Sequence, residues 1–450
     1  MIAHTIAPNP KSGANHADLS RSRGGAALHQ QYMWRADSRD YWEPIAAIGP
    51  QGSRAGLAEP RHPCQTLPSP MTEDLPNPAL LPAGFADLLP PDAAREAALV
   101  EAMMAAFAQH GYERVKPPLL EFEDSLLTGS GAAVADQTFR LMDPVSQRMM
   151  GLRADTTPQV ARIAATRLAA EPRPLRLCYA GQVLRVRGTQ LAPERQLPQA
   201  GIEVIGSDAI EADAEVAIVA VEALAAIGVA PVSLDVMLPS LTPALLDAAA
   251  LAPALRASLA RALDRKDSAA VAASVRDSGA AILQALPALM AASGPAPAAL
   301  AALQQAELPA AARALAQDAA AVIAAIARRA PGLRITLDPV EFRGLRYHTG
   351  VAFTLYGPGL GGELARGGRY VSHNGEPATG MTLYPDAVLR AAPRSAETAR
   401  VFIPLGADGA AFRAQGFVTV AALSATDTPE SLRCTHSLQE GRAVAQPRKG

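Results

Sequence analysis

The sequence predicts an α+β fold, in which helices flank a β-sheet. Apolar residues recur at helical spacing between Pro91 and His110, which predicts an amphipathic helix. Two strand-like segments, Leu175 to Val186 and Ala200 to Gly206, are joined by the polar loop Arg187 to Pro198, which is too long for a tight hairpin turn. Further along, Leu241 to Arg329 changes to Ala/Leu-rich helices, after which strands return.

The elements around the first helix have recognisable ends. Pro91 stands where the first turn of a helix tolerates proline, and Gly111 is expected to end the helix. A short strand, Tyr112 to Val115, follows. The segment Glu211 to Ile227 predicts a strongly amphipathic helix, and Val232 to Met237 predicts the strand after it.

The second half of the chain begins with helices. We expect 241–330 to be an all-helical insertion of Ala/Leu helices broken at Pro253, Pro287 and Pro295. The elements predicted after it are the strands Leu333 to Leu337 and Val351 to Leu355, the glycine-rich segment Gly357 to Gly368, a last short strand, a helix near Ala387, and a β-α-β-like tail from Val401 to Leu438.

Composition restricts the function. The 450 residues carry a formal charge of −2, which weighs against a broadly basic surface for nucleic acid, tRNA included. The cysteines Cys64, Cys178 and Cys434 are widely scattered and fit neither a disulfide framework nor a metal site. The longest apolar run, Ala214 to Ala230, is interrupted by two glutamates. We therefore expect a cytoplasmic protein without a metal, a cofactor or a membrane contact.

Residues 1–70 differ from the rest of the chain. They are rich in Ser, Gly, Arg, Pro and Gln and show no lasting apolar periodicity. Two explanations remain open. The segment is either a disordered extension or the product of a start codon assigned upstream of a natural start at Met71.

Polar residues within the strand-like segments carry the chemical signal. Asp155, Thr156 and Thr157 place a carboxylate beside two hydroxyls just before a helix, although Asp155 alone would be explained as a helix cap. Gln199 and Glu203 lie four residues apart on one strand, so both face the same side of a sheet.

Cations and rings complete this set. Arg185 and Arg187 end one strand with guanidinium groups, and the segment Arg343 to His348 supplies another cation with the rings of Tyr347 and His348. Singly, each is explained as a solvated surface residue. Together they provide what a zwitterionic amino acid needs, which is a carboxylate for its ammonium group and a guanidinium for its carboxylate.

Four segments in one order carry a family resemblance. They are Tyr112 to Pro118, Leu177 to Gly206, Arg343 to Thr349 and Gly367 to Tyr370. The first two resemble motifs 1 and 2 of class II aminoacyl-tRNA synthetases, and the last two resemble the histidine-binding signatures. The chain is similar, from about Leu81 to Leu389, to histidyl-tRNA synthetases and to their paralogues, the regulatory subunits of ATP phosphoribosyltransferase.

The resemblance implies a six- or seven-stranded antiparallel sheet flanked by helices, a dimer formed through motif 1, and a pocket for free histidine. In that pocket Asp155, Thr157 and Gln199 would hold the amino group, Arg343 the carboxylate and Glu203 the imidazole. The remaining residues that the resemblance places in the histidine-binding set are Arg185, Tyr347 and His348.

The departures from the synthetase pattern indicate a non-catalytic protein. In motif 2, Arg185 is retained, but Arg187 replaces the glutamate that helps to position ATP. In motif 3, Ala387 stands at the position of the arginine that holds the γ-phosphate, and Pro385 is expected to disturb the start of the helix. Losing such an arginine removes several kcal/mol of transition-state stabilisation. We expect no catalytic residues.

The resemblance and its departures predict a regulatory subunit. It would assemble with a short-form ATP phosphoribosyltransferase catalytic subunit, activate it, and mediate feedback by histidine as effector. The alternative is an active histidyl-tRNA synthetase or another amino-acid-activating enzyme. We expect a synthetase-like core at 78–240 and 331–397, the insertion at 241–330, and a short tail at 398–450 in place of an anticodon-binding domain.

Overall fold

The structure is a computed structural model that describes residues 80–189, 192–342, 347–359, 361–394, 398–439 and 441–446. The expectations for residues 1–70 and for Arg343 lie outside the described residues. In chain order, the described α-helices are α1 (Asp92–Gln109), α2 (Glu123–Leu126), α3 (Thr157–Thr166), α4 (Ile210–Ala226), α5 (Leu241–Ala248), α6 (Pro253–Asp264), α7 (Ser268–Ser278), α8 (Leu286–Ala291), α9 (Ala296–Gln305), α10 (Ala310–Arg329), α11 (Pro385–Ala391) and α12 (Ala410–Ala414). Two 3-10 helices span Gly129–Gln137 and Ala281–Leu283.

The strands belong to three sheets. In chain order they are β1 (Glu113–Arg114), β2 (Leu120–Phe122), β3 (Phe139–Met142), β4 (Met149–Leu152), β5 (Leu175–Leu184), β6 (Gln196–Ile205), β7 (Ser233–Met237), β8 (Gly294–Pro295), β9 (Arg334–Asp338), β10 (His348–Tyr356), β11 (Glu363–Val371), β12 (Pro377–Leu383), β13 (Arg400–Ile403), β14 (Val418–Ala421), β15 (His436–Gln439) and β16 (Arg442–Ala445).

The main sheet has nine described strands in the order β1-β5-β6-β12-β11-β10-β7-β9-β8. The six central strands are β5-β6-β12-β11-β10-β7, and the five pairs that they form with one another are all antiparallel. The pairs β1–β5 and β7–β9 are parallel. The α+β class with an antiparallel core is therefore confirmed, and the edges extend beyond the six or seven strands expected.

The two faces of the main sheet have different roles. Side chains alternate between faces along each strand, and directly opposed residues share a face. One face carries Ile202, Met381, Phe353 and Val236, which pack in the largest hydrophobic cluster together with residues of α1, α4, α10 and α11. The opposite face carries Glu203 and is called the site face below.

Most predicted elements are confirmed, with small changes at their ends. The first helix begins at Asp92, directly after Pro91, and Gly111 follows its end with a φ of +80°. The helix α4 and the strands β7, β9 and β10 lie where the pattern predicts them.

The predicted loop Arg187 to Pro198 is wrong at its second end. β6 begins at Gln196, and Pro198 pairs with Gln182 inside the ladder. Pairing of β6 with β12 ends at Ala200, so at Pro198 the strand has a neighbour on one side only. That is the position in which a sheet accommodates proline.

Glycine and proline misled two further predictions. Gly367 and Gly368, predicted to precede the last strand, lie inside β11, where a Cβ on Gly367 would overlap the Gly380 carbonyl oxygen of the neighbouring strand. The close approach of central strands requires glycine there. Pro385 does not disturb the helix start, since it is the first residue of α11 and lacks only an N–H that is unpaired in a first turn.

The predicted insertion is not entirely helical. It contains α5 to α10, with Pro253 and Pro287 at helix starts, but Gly294 and Pro295 also form β8, which pairs with β9. Within the described residues, α10 is long and apolar enough to cross a membrane by length and composition alone. Its residues Val322 and Ile326 are fully buried in the main hydrophobic cluster.

A buried ion pair fixes α4 to the sheet. Arg369 of β11 donates from Nε and Nη2 to Asp213 Oδ2 at 3.1 and 2.8 Å, and Thr379 of β12 donates to Asp213 Oδ1 at 2.5 Å. Burial raises the pKa of Asp213, while the Arg369 guanidinium opposes that rise. Removing one partner from such a pair typically costs about 3–5 kcal/mol.

The two smaller sheets lie at different points of the chain. β2, β4 and β3 form an antiparallel sheet, and β13 to β16 form a four-stranded sheet with its own small core of Val401, Ile403 and Phe412. In the latter, β13, α12 and β14 form the predicted β-α-β unit, since β13 and β14 are parallel. The strands β15 and β16 complete this sheet.

Candidate functional site

A buried carboxyl group lies at the centre of the site face. Glu203 of β6 is only 1% exposed. Its Oε1 accepts a hydrogen bond from Thr157 Oγ1 at 2.8 Å, and its Oε2 accepts one from Tyr370 OH at 3.0 Å. The directly opposed residue on β12 is Gly380, where any Cβ would overlap the Glu203 carboxyl. Glycine at this position therefore makes room for the acid.

The surroundings of Glu203 favour its neutral form. Burial is the main reason that its pKa rises to about 8. Hydrogen bonds from Thr157 and Tyr370 counteract the rise, and the nearby Asp155 carboxyl adds to it. The donors that directly contact Glu203 among the described residues are hydroxyl groups, which stabilise the carboxylate less than a guanidinium would.

The start of α3 brings a second polar group to the site. Gln199 Oε1 accepts from the backbone N and the Oγ1 of Thr156, at 3.1 and 2.9 Å. Asp155 Oδ1 accepts from the backbone N of Thr157 at 3.3 Å. The sequence therefore identified Asp155, Thr157, Gln199 and Glu203 as one group, and the structure brings them together across α3 and β6.

Aromatic rings surround this group. The ring centroids of Tyr347 and His348 lie 4.1 Å apart, and Tyr347 meets the ring of Tyr370 edge-on at 6.2 Å. Tyr179 OH lies 3.2 Å from Thr157 Oγ1 and 2.7 Å from Thr382 Oγ1. Burial is the main cause that raises the pKa of Tyr347, Tyr179 and Tyr370 well above the usual value, so these hydroxyls remain protonated.

The two predicted cations are placed differently. Arg185 directly follows β5 and continues the alternation of Tyr179 and Val183 on the site face. Its Nε is buried and has no hydrogen-bond partner among the described residues. Arg343 lies outside the described residues.

Several residues of the site were absent from the predicted set. Tyr370 was noted only as part of a signature, and no function was assigned to it. The others are Tyr179, Arg366, Gly380 and Thr382. They come to the same face of the sheet as Glu203 through the registers of β5, β11 and β12, and a single sequence contains no signal that sets these registers.

Other candidate sites receive less support. No cluster of His, Cys, Asp or Glu suited to a metal ion occurs in the part of the chain that the structure describes. Two surface cavities lie away from Glu203. One, of about 420 Å³, is lined by Glu113, Glu171 and Arg176 among others, and one of about 340 Å³ lies in the insertion beside Leu289. The hydrogen-bonded group around Glu203 has the more specific chemistry.

Comparisons with known proteins agree with this architecture. The histidyl-tRNA synthetase family model matches residues 84–388. An ATP phosphoribosyltransferase regulatory subunit from Paramagnetospirillum magneticum is 56% identical over 363 residues, covering 80% of this chain and 94% of that protein. A Bacillus halodurans structure described as an ATP phosphoribosyltransferase regulatory subunit/histidyl-tRNA synthetase has a TM-score of 0.66 at 24% identity, over 78% of this chain and 94% of that one.

A third match is the HisG:HisZ ATP phosphoribosyl transferase complex of Thermotoga maritima. Its matching chain has a TM-score of 0.52 at 17% identity, over 64% of this chain and 97% of that one. The fold and the order of site residues thus define a histidyl-tRNA synthetase-like protein of the class II architecture. Within that class, the chain belongs to the family of ATP phosphoribosyltransferase regulatory subunits.

We predict that Glu203 makes the stability of the protein depend on pH. Its pKa is raised to about 8 in the folded chain from an ordinary 4.5, so folding takes up a proton between these values. Stabilisation that is present below the lower value is lost as pH rises towards the upper one. In Glu203→Gln this loss should be absent. As pH rises, the stability of the variant relative to the wild type should therefore increase by up to several kcal/mol, since one unit of pKa shift is about 1.36 kcal/mol.

The measurement is the free energy of unfolding in urea from about pH 5 to pH 8, without added amino acid. A constant offset between the two proteins, caused by the changed hydrogen bonding of the amide, does not affect the result. If the difference in unfolding free energy between the wild type and Glu203→Gln does not change over this pH range, the pKa of Glu203 is not raised.

Proposed function

We propose that this chain is a non-catalytic subunit that binds free histidine and uses it to regulate an ATP phosphoribosyltransferase catalytic subunit. The observation that carries the proposal is the buried Glu203 carboxyl, which faces hydroxyl groups and lies beside a second carboxyl, Asp155. An imidazole N–H requires an acceptor such as Glu203. An ammonium group requires an anion such as Asp155 together with hydroxyl acceptors such as Thr157.

The remaining roles follow from the same arrangement. Tyr347 and His348 would line the imidazole, and Arg343 would reach the carboxylate of histidine. Gln199 uses its amide oxygen on Thr156, so we propose that it positions the start of α3 and donates its N–H groups to the ligand. This role differs from holding the ammonium group, which an N–H donor cannot do.

A missing phosphate contact supports the non-catalytic assignment. Ala387, at the position that resembles the motif 3 arginine, is buried on α11 at 5% exposure. A methyl group there offers no charge to the γ-phosphate, and Arg187 offers no acid to position ATP. Adenylation depends on such preorganised charges.

The partner and the regulation are part of the proposal. The Thermotoga maritima complex contains both HisG and HisZ, and the relatives are described as regulatory subunits. For feedback, histidine must bind one state of the complex better than another, and a coupling of about 1–3 kcal/mol suffices. We place this complex in the cytoplasm, with no binding of tRNA. The sheet β13–β16 would stand in place of an anticodon-binding domain.

We also propose that two copies of the chain associate. In the three-stranded sheet β2-β4-β3, the face that carries Gly151 packs against Leu126. The strand residues on its other face are all apolar, and two of them, Leu120 and Leu141, are exposed. These strand residues are Leu120, Phe122, Phe139, Leu141, Met150 and Leu152. The guanidiniums of Arg148 and Arg195 lie over the rings of Phe122 and Phe139. A largely apolar face of this kind is typical of a protein interface, and it follows the segment that resembles motif 1.

We predict that Glu203→Ala weakens histidine binding and feedback while assembly and activation persist. The change removes the imidazole acceptor, so the affinity should fall about 10- to 100-fold. Isothermal titration of histidine into the complex measures binding, and a phosphoribosyltransferase assay of the catalytic subunit measures activation and inhibition. Glu211→Ala, on the exposed start of α4, is the control. Equal loss of assembly would assign Glu203 a structural role, and failure to stimulate the catalytic subunit would refute the proposed function.

We predict no histidine-dependent exchange of pyrophosphate into ATP. Exchange requires the phosphate contacts that Ala387 and Arg187 lack. Measured with the purified chain and with an active histidyl-tRNA synthetase as the positive control, a clear signal would establish the alternative, an amino-acid-activating enzyme.

We predict that Leu141→Glu separates the dimer. Leu141 is 37% exposed on the apolar face, and two buried glutamates facing each other would oppose association. Sedimentation equilibrium measures the mass. Leu423→Glu alters an equally apolar but 89% exposed side chain elsewhere and should leave the mass unchanged. An undisturbed dimer in Leu141→Glu would exclude this face as the interface.

A further inference from the structure

Arg366 lies in the middle of β11, on the same face of the sheet as Glu203. It stands opposite Thr382 on one side and Thr354 on the other. Glu203 belongs to the adjacent row of the site face, through Gly380 and Gly368. Successive rows of one face are separated by two residues, about 7 Å along the strand. Because Glu203 also lies two strands away, about 10 Å across the sheet, the two Cα atoms are about 12 Å apart, a gap that the two side chains and a ligand between them can span.

The guanidinium of Arg366 is poorly satisfied by the described residues. Its Nη1 donates to Glu363 Oε1 at 3.4 Å, which is at the long end of the hydrogen-bond range. Its Nε is buried and has no partner within that part of the chain. A buried donor without an acceptor costs about 1–3 kcal/mol, and more when it is charged. Such an atom is expected to receive an acceptor from a ligand.

A second guanidinium approaches the same place. The hydroxyl of Tyr384, which follows β12, is buried, and burial is the main reason that its pKa rises. The carboxyls of Glu363 and Asp155 add to the rise, and the guanidiniums of Arg185 and Arg366 oppose it. Both cations therefore lie near one tyrosine hydroxyl, with the Asp155 carboxyl close by.

Tyr347 connects this region to the Glu203 carboxyl. Burial is the largest cause of its raised pKa. Asp155 and Glu203 contribute to the rise, and Arg366 opposes it. One buried ring is thus within electrostatic reach of two carboxyls and one guanidinium. This is the complement of a zwitterionic amino acid with a side chain that donates a hydrogen bond.

We propose that Arg366 holds the carboxylate of the amino acid bound beside Glu203, in addition to the contact proposed above for Arg343. The inference rests on the function proposed above and adds a specificity-determining residue to its site. The planar guanidinium offers paired N–H donors that fit the two oxygens of a carboxylate. Arg185 also acts on the Tyr384 hydroxyl and strengthens the positive potential there. A free phosphate has similar chemistry, but Asp155 and Glu203 favour a ligand that also carries hydrogen-bond donors.

The test compares two ligands that differ only at the carboxylate. L-histidine and L-histidinol, in which a hydroxymethyl group replaces the carboxylate, are titrated calorimetrically into the full chain. In Arg366→Met, histidine should bind about 10- to 100-fold more weakly, because a charge-assisted contact is lost. Histidinol should bind as to the wild type or slightly more tightly, since a cation near its ammonium group has been removed. Arg366→Lys should lie between the two, because it retains the charge without the planar donor pair.

Arg390→Met is the matched control. Arg390 also pairs with an acidic residue on its own element, Asp386, but it is largely exposed on α11, so both affinities should be unchanged. Retained histidinol binding in Arg366→Met shows that the variant is folded. Equal weakening of both ligands, or no weakening of histidine, would overturn the assignment of Arg366. The assignment would also be overturned if Arg366→Met bound histidine normally but no longer bound inorganic phosphate. If the wild type binds neither ligand, the proposed function itself fails.

Discussion

The Glu203 carboxyl is almost completely removed from water, and the rest of the site is arranged around the cost of that removal. An isolated ionised acid in such a place would be strongly unfavourable. The protein reduces the cost with hydroxyl donors from Thr157 and Tyr370 and with a pKa raised to about 8. Space is provided by Gly380, the one residue type that leaves the facing position open. The registers of β6, β12 and β11 and the position of α3 must therefore all be kept to accommodate this single side chain.

A comparison of two buried acids shows how the sheet separates structure from function. Asp213, on the helix-bearing face, accepts two hydrogen bonds from one guanidinium on its Oδ2 and one from a threonine hydroxyl on its Oδ1, so its charge is compensated within the chain. Glu203, on the site face, receives hydroxyl groups only. A residue compensated by the protein fixes an element in place, as Asp213 fixes α4. A residue compensated only in part retains capacity for a ligand, which is the property that a binding site needs.

Sequence reasoning reached those parts of the site that depend on local periodicity. Gln199 and Glu203 could be placed on one side because the strand period is two, and Asp155 and Thr157 could be placed together because they are adjacent. Tyr179 and Arg366 could not be found in this way, because they become neighbours only through the registers of β5 and β11. The penalties for glycine and proline in regular elements also misled us at Gly367, Pro198 and Pro385. In each case, a tertiary neighbour or an edge position removed the usual cost.

In the proposed function, contacts with ATP are lost while contacts with histidine are kept, because the two sets belong to different elements. The contacts with ATP in the class II pattern come from motif 2 and motif 3, at Arg187 and Ala387 here, whereas the contacts proposed for histidine come from β6, α3 and β11. Arg187 lies beyond the end of β5 and Ala387 lies on α11, in the hydrophobic cluster on the opposite face, so substitution there leaves the hydrogen bonds of Glu203 in place. A ligand that donates to Glu203 would favour its ionised form and thereby change the electrostatics of three buried tyrosines. Because those tyrosines lie on β5, β11 and the start of β10, occupancy would alter the relative energies of strands that extend across the sheet. For the proposed feedback, histidine must in addition bind one state of the complex better than another.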